Sequence, residues 1–262
     1  MSQKILLSAN EAVAWAACKA GCAVASAYPG TPSTEIMENV AKFKETVNCE
    51  WAVNEKVAME VVIGASIAGA RALTAMKHVG LNVAMDPLMT YTYVGANGGL
   101  VIVSADDPGM HSSQNEQDNR NLVKFARAAL FEPSDSQEAF DMVIAAFEVS
   151  ETYQVPTFIR LTTRTSHTST VVDVGDDFGP GKVERKPYVK DIKRYIPVPM
   201  FAKPQRLKAQ ERTEALRAFA CGTPFNRIEA GDTRLGIITS GVTYQYVKEV
   251  FPEFSVLKLG FS

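Results

Sequence analysis

Hydrophobic positions along the chain follow two alternating patterns. Short, mostly apolar runs recur at CAVASA from Cys22, VNCEWAVN from Val47, ALTAMK from Ala72, GLVIVSA from Gly99, RAALFEP from Arg127 and TFIRLTTR from Thr157. Runs of this length, apolar on both sides, read as strands buried on two faces. Between them lie segments with the period of a helix. Ser8 with Glu11 spells a capping box, and the Ala-rich stretch behind it runs as a helix to Gly21. TPSTEIMENVAKFKE is predicted as a helix with Thr31 at its N-cap and Pro32 in its first position. Glu55 opens EKVAMEVVIGASIAGARA, whose Gly64, Ala65, Ala68 and Gly69 allow close packing. LNVAMDPLMTYTYVG reads as a helix despite Pro87, a short amphipathic piece follows DDPGMHSSQNEQDNR, and Ser134 with Gln137 starts SQEAFDMVIAAFEVSETY.

Apolar strands alternating with helices specify an α/β fold, a doubly wound and mostly parallel sheet covered on both faces, over residues 1–172. From 173 to 232 the composition shifts toward Pro, Gly, Lys and Arg. This stretch reads as a linker with one helix, PQRLKAQERTEALRAFA. Residues 233–262 then spell strand, helix, strand again in LGIITSG, TYQYVKEVF and FSVLKLG. One such unit cannot bury both faces of a sheet, so it is expected to be the truncated start of a second α/β domain.

Charge and composition narrow the function. Lys plus Arg number 27 against 29 Asp plus Glu, and no basic stripe interleaves with aromatics, which argues against nucleic acid. No run has the length of a membrane span and the N-terminus is too polar for a signal peptide, so a cytoplasmic protein without membrane contact is expected. Cys18, Cys22, Cys49 and Cys221 form no CxxC pair, and the three histidines lack metal-ligand spacing. Neither a disulfide framework nor a metal site is implied.

In open α/β sheets the chemistry gathers at the carboxyl ends of the strands. There the chain places YPGTPS, Asn54-Glu55-Lys56, Lys77-His78-Val79-Gly80, Asp106-Asp107-Pro108-Gly109 and Thr162-Thr163-Arg164. Thr31 is explained either as an N-cap or as a hydroxyl beside helix amides that receive an anion. Glu55 either favours a helix macrodipole or is a partly desolvated carboxyl that exchanges protons. His78 is the histidine best placed for chemistry, and HSSQNEQDNR reads as a plain surface loop. No GxGxxG, P-loop or GxSxG motif is present, so dinucleotide binding and serine hydrolysis are disfavoured.

As an ordered set, YPGTPSTEI, EWAVNEKVAMEVVIGASIAGARALTAMKHVGLNVAMDPL and VSADDPGMHSSQNEQDNR resemble the N-terminal part of the indolepyruvate:ferredoxin oxidoreductase alpha-subunit family. These belong to the thiamine-diphosphate-dependent 2-oxoacid:ferredoxin oxidoreductases, and the segments look like the pyrimidine-binding domain. The closing LGIITSGVTYQYVKEVFPEFSVLKLG resembles the start of the transketolase C-terminal-like domain. The resemblance implies that Glu55 bonds the ring nitrogen of the cofactor's aminopyrimidine and that Thr31 faces the 2-oxoacid carboxylate. It puts Tyr28, Gly30 and His78 beside the substrate, and Pro29, Lys77, Val79 and Gly80 beside the cofactor, with Lys77 to Gly80 as a loop. One departure is informative. Relatives acting on pyruvate have a carboxylate-gripping arginine after the fourth strand, where this chain has Ala105-Asp106-Asp107, so a larger arylpyruvate fits better.

The same resemblance implies partners. Gly175-Asp176-Asp177 and Gly231-Asp232-Thr233 lack the second glycine and the asparagine of the family's diphosphate motif, so Mg2+ and the diphosphate are expected on another domain or subunit. Iron–sulfur clusters, coenzyme A and ferredoxin would likewise be met in a complete homo- or hetero-oligomer. Two alternatives remain: a non-catalytic assembly subunit, and a flavodoxin-like binder of small molecules.

Overall fold

All seven residues of the strand Leu100–Asp106 are buried, and their side chains divide by the strand period. Val101, Val103 and Ala105 enter one core while Leu100 and Ile102 enter another, as expected of a strand covered by helices on both faces. The computed structural model, which describes residues 2–262, contains in order β1 (Gln3–Ser8), α1 (Ala9–Lys19), β2 (Val24–Ala27), α2 (Thr34–Val40), β3 (Asn48–Trp51), α3 (Glu55–Ile67), β4 (Ala72–Lys77), α4 (His78–Val94), β5 (Leu100–Asp106), α5 (Arg120–Ala126), β6 (Ala129–Phe131), α6 (Ser136–Tyr153), β7 (Thr157–Thr162), α7 (Thr163–His167), β8 (Ser169–Gly175), α8 (Ile192–Tyr195), α9 (Pro199–Gly222), β9 (Arg227–Glu229), β10 (Asp232–Ser240), α10 (Thr243–Val250) and β11 (Phe254–Leu259). Strands β3-β2-β4-β5-β7-β6 form one sheet whose neighbouring strands all run parallel. Residues of α1 and α6 join the core on one face, and residues of α3 and α4 join the core on the other. The doubly wound α/β architecture expected from the sequence is thus present.

The predicted capping box holds: Ser8 Oγ accepts from the Glu11 amide at 3.2 Å and the Glu11 carboxylate accepts from the Ser8 amide at 2.9 Å. Other helix starts move. Thr31 is not the N-cap of α2, which begins at Thr34 after Ser33. A tight turn precedes the helix instead, in which the Ser33 amide and hydroxyl donate to the Gly30 carbonyl and the Gly30 amide donates to Thr34 Oγ1, and it displaces the helix start by two residues. Asp135, not Ser134, caps α6 by accepting from the Glu138 amide at 2.9 Å.

Two strands escape the pattern reading. β1 and β8 pair antiparallel across the length of the domain, with Leu7, Val172 and Val174 buried but Leu6 and Val171 exposed. The expected boundary after residue 172 therefore falls inside β8. The segment beyond is strapped to the domain. Arg194 donates to the carbonyls of Val94, Gly95 and Ala96, and Arg212 of α9 donates to those of Thr92 and Tyr93, so two guanidinium groups serve the C-terminal carbonyls of α4. α9 also starts earlier than predicted and contains Pro204.

The predicted strand–helix–strand is found as β10, α10 and β11, with β10 and β11 parallel, and β9 is added antiparallel to β11. The chain then reaches the edge of the main sheet, where Leu130 and Ser262 exchange two backbone hydrogen bonds of 2.9 Å. This pairing occupies hydrogen-bonding groups that an edge strand would otherwise present.

Candidate active site at the carboxyl ends of the parallel strands

Strands β3, β2 and β4 are neighbours, so the segments leaving their carboxyl ends are brought side by side. After β2, Tyr28, Pro29 and Thr31 are exposed and Gly30 half-buried. The turn they form is anchored from beneath by the buried Asn10, whose side-chain amide donates to the Pro32 carbonyl at 2.8 Å and to the Glu35 carboxylate at 3.2 Å. Its open side rests on Lys77: a β-carbon placed on Gly30 would come within 3.0 Å of Lys77 Cδ.

After β3, Asn54 caps α3 by accepting from the Val57 amide at 2.9 Å, and this fixes Glu55 as the first helical residue. The Glu55 side chain is half-buried, and no hydrogen bond or ion pair engages it among the described residues. After β4 the chain does not form the expected loop. Lys77 is the N-cap of α4 and His78 its first residue, so Val79 and Gly80 lie in the first helical turn. Gly80 meets Glu55 there: a β-carbon on Gly80 would stand 2.5 Å from Glu55 Oε1 and 2.8 Å from its Cγ. The segments predicted as candidate site thus form a continuous series of contacts, Gly30 on Lys77 and Gly80 on Glu55.

His78 differs from expectation in its surroundings. It is fully buried, and its Nε2 bonds the Asn115 carbonyl at 2.9 Å, which requires the proton on Nε2; Nδ1 has no partner among the described residues. Lys77 Nζ likewise donates to the Ser112 carbonyl at 3.0 Å. The stretch read as a plain surface loop, HSSQNEQDNR, is therefore fastened to the start of α4.

Sequence reasoning placed Asp107 and Thr163 at strand ends but gave them no part in holding this loop. Asp107 is buried and accepts from the Ser112 amide at 2.8 Å, the His111 amide at 3.2 Å and Thr163 Oγ1 at 2.7 Å. Burial would raise its pKa, but these bonds outweigh it and hold the carboxyl at about 2. Asp106 is buried beside it, with its pKa raised by burial against the opposing pull of Arg160, whose Nε lies 2.7 Å away. The available signal was two adjacent acids closing a strongly apolar run, a place where charge persists only when paired or hydrogen-bonded.

A cleft of about 940 Å³ opens between the ends of β5 and β7 and the β10–α10 turn, bordered by Pro108, His111, Arg160, Arg164 and Gly241. The loop after β5 stands between this cleft and the start of α4.

A family profile described as pyruvate flavodoxin/ferredoxin oxidoreductase, thiamine diphosphate-binding, matches residues 15–214. The chain belongs to this family. The match ends inside α9, so the region expected to be a linker lies largely within it. The indolepyruvate oxidoreductase subunit IorA of Pyrococcus abyssi is 46% identical over 269 residues, covering 98% of this chain and 42% of the relative. The same subunit of Methanothermobacter thermautotrophicus is 43% identical over 272 residues, covering 99% of this chain and 43% of the relative. The chain thus spans about two-fifths of the length of these curated relatives. A solved structure, 2-oxoglutarate:ferredoxin oxidoreductase from Magnetococcus marinus with 2-oxoglutarate, coenzyme A and succinyl-CoA bound, superimposes with a TM-score of 0.79 at 18% identity. That alignment covers 99% of this chain and 54% of the other, and establishes the shared fold.

The residues present suit the family's cofactor. A half-buried carboxyl with no hydrogen-bond or ion-pair partner among the described residues can bond a ring nitrogen, and glycine at position 80 keeps that carboxyl from being displaced by a side chain. No helix among the described residues is long and apolar enough to cross a membrane.

Proposed function

We propose that this chain supplies the pyrimidine-binding half of the active site of a thiamine-diphosphate-dependent 2-oxoacid:ferredoxin oxidoreductase acting on an arylpyruvate such as indolepyruvate. The observation that carries the reading is the unengaged Glu55 carboxylate, held at the start of α3 against Gly80. Thiamine diphosphate, when bound, supplies the nucleophilic carbon and the electron sink for decarboxylating a 2-oxoacid. Glu55 would hold a proton between its carboxyl oxygen and the pyrimidine ring nitrogen, general acid–base work that an otherwise unpaired carboxyl is suited to.

The Thr31 hydroxyl, exposed on the turn after β2, would donate to the substrate carboxylate, with Tyr28 and Gly30 beside it. Lys77 and Val79 would border the ring from the first turn of α4. His78 would act from behind, keeping that turn in place through Asn115. Mg2+ and the diphosphate would be held by another domain or subunit, iron–sulfur clusters there would pass electrons to ferredoxin, and coenzyme A would accept the acyl group. The names of the relatives support the arylpyruvate and the multisubunit setting.

The test is Glu55→Gln in the assembled complex. Turnover is expected to fall by about two to four orders of magnitude. Unchanged turnover would remove the catalytic role and favour a non-catalytic assembly subunit.

A further inference from the structure

The buried Asp107 has no part in the roles just assigned, yet it accepts three hydrogen bonds that hold the loop beside the site. Its partners explain what it does. After Pro108 the backbone passes through left-handed conformations at Gly109 (φ +84°) and Met110 (φ +56°), so that the amides of His111 and Ser112 both reach the same carboxylate. Thr163, the first residue of α7 just after the adjacent β7, donates to it from the other side. The far end of the loop is fixed by the neighbouring acid, because Asp106 accepts from the Asn119 amide at 3.1 Å. Between these anchors the loop offers its own carbonyls outward: Ser112 to Lys77 Nζ and Asn115 to His78 Nε2. Asn119 adds a third tie, donating from Nδ2 to the His78 carbonyl at 3.2 Å.

We propose that Asp107 is a positioning residue: its carboxylate fixes the 108–118 loop as a wall between the 940 Å³ cleft and the first turn of α4, and thereby sets how tightly the 2-oxoacid is held. The inference rests on the proposed 2-oxoacid activity for its kinetic readout, and on the loop geometry for its physical one. All of the groups that meet Asp107 are donors, so a side chain that must itself donate cannot replace it. Asparagine is the sharp probe, being of equal size and carrying two donor hydrogens where one carboxylate oxygen stood.

The experiment compares the unmodified complex with Asp107→Asn, Thr163→Val and Thr163→Ser, by hydrogen–deuterium exchange of the loop and by steady-state kinetics with indolepyruvate. Loss of a hydrogen bond to a charged group is worth about a factor of ten or more. Asp107→Asn is expected to speed exchange of peptides spanning 109–118 about tenfold and to raise KM about tenfold, with kcat changing less than about threefold. Thr163→Val, which removes one donor, should show part of both effects, and Thr163→Ser, which keeps the hydroxyl, neither. A general loss of stability would instead lower kcat at constant KM, and that pattern overturns the proposal. Unchanged loop exchange in Asp107→Asn also overturns it. If Asp107→Asn does not assemble, the Thr163 pair decides on the same two readouts, equal behaviour of valine and serine being the negative result. An unmodified complex that turns over no 2-oxoacid would refute the proposed activity itself, and loop exchange would then decide the clamp alone.

Discussion

Gly80 stands where any side chain would collide with the Glu55 carboxylate: its missing β-carbon would lie 2.5 Å from Oε1 and 2.9 Å from Cδ. Position 80 is helical, so alanine there gains about 0.5–1 kcal/mol of backbone preference while overpacking costs about 1–3 kcal/mol. The carboxylate is the free end of a half-buried chain and can turn aside. Gly80→Ala should therefore fold, with denaturant stability within about 2 kcal/mol, while thiamine diphosphate binding is expected to weaken about tenfold because the displaced carboxyl would lose the hydrogen bond proposed for it. Calorimetric titration of the complex with the cofactor checks this. Unchanged affinity would detach Gly80 from the site.

The strap across the C-terminal end of α4 depends on Arg194 and Arg212, which together reach five successive carbonyls from Thr92 to Ala96. Burial lowers the Arg212 pKa, and the nearby Arg194 charge lowers it further, so the pair is held together by those carbonyls against mutual repulsion. Arg194→Ala should cost about 1–3 kcal/mol by leaving carbonyls unsatisfied. It should also release the 176–198 segment to proteolysis well before the parallel sheet. Cleavage followed by mass spectrometry is the check. Simultaneous loss of both regions would mean that the strap is not a separate unit.

What the sequence made legible follows from where each residue's environment was local. The six parallel strands were readable because burial on both faces leaves a run such as Leu100–Asp106 no polar alternative until its end. Glu55 was readable as the first residue of a helix, where Asn54 caps it, while the role expected of it came from the family resemblance alone. β1 and β8 were not, since each hides one face only and their pairing spans most of the domain. The start of α4 was misplaced because Gly80 weakens the helical signal, and its reason for being glycine is a contact with a residue on another helix. The Thr31 cap failed because Ser33 and Thr34 compete for the same role a few residues on. Asp107 gained meaning only once the loop had folded back on it.

Acid should act on the C-terminal sheet through Glu229. Its carboxylate accepts from Tyr244 at 2.6 Å, Lys248 at 2.9 Å and Arg227 at 3.0 Å, and these bonds outweigh the upward push of burial to bring its pKa to about 2. A carboxyl depressed in the folded state stabilises above its unfolded pKa, and the contribution fades as pH falls toward the folded value. For this partly exposed group that is about 1–2 kcal/mol. Glu229→Gln should differ from the unmodified chain in urea unfolding at pH 6, and roughly half of the difference should disappear by pH 3. A difference that stays constant between these pH values would assign its effect to packing.

Lys258 of β11 is fully buried, with its ammonium 4.5 Å from the Tyr244 ring centre, 3.0 Å from Ser134 Oγ and in contact with the Glu138 carboxylate. Burial pushes its pKa down against the opposing pull of Glu138. For Glu138 the balance differs: burial raises its pKa, but Lys258 and the Ser134 amide and hydroxyl prevail and hold it below the ordinary carboxylate range. The pair ties the first turn of α6 to the last strand, and each partner is the main compensation for the other's desolvation. Breaking it from one side should therefore cost more than deleting it. Lys258→Met is expected to lose about 3 kcal/mol, because Glu138 stays buried with only Ser134 and the more distant Arg227 at 3.3 Å to serve it. Adding Glu138→Leu should recover most of that loss, bringing the double variant to within about 1 kcal/mol of the unmodified chain. Chemical denaturation of the four proteins of this cycle measures the coupling. Additive losses would mean that the two charges are solvated independently, and that the C-terminal sheet is held to α6 by packing alone.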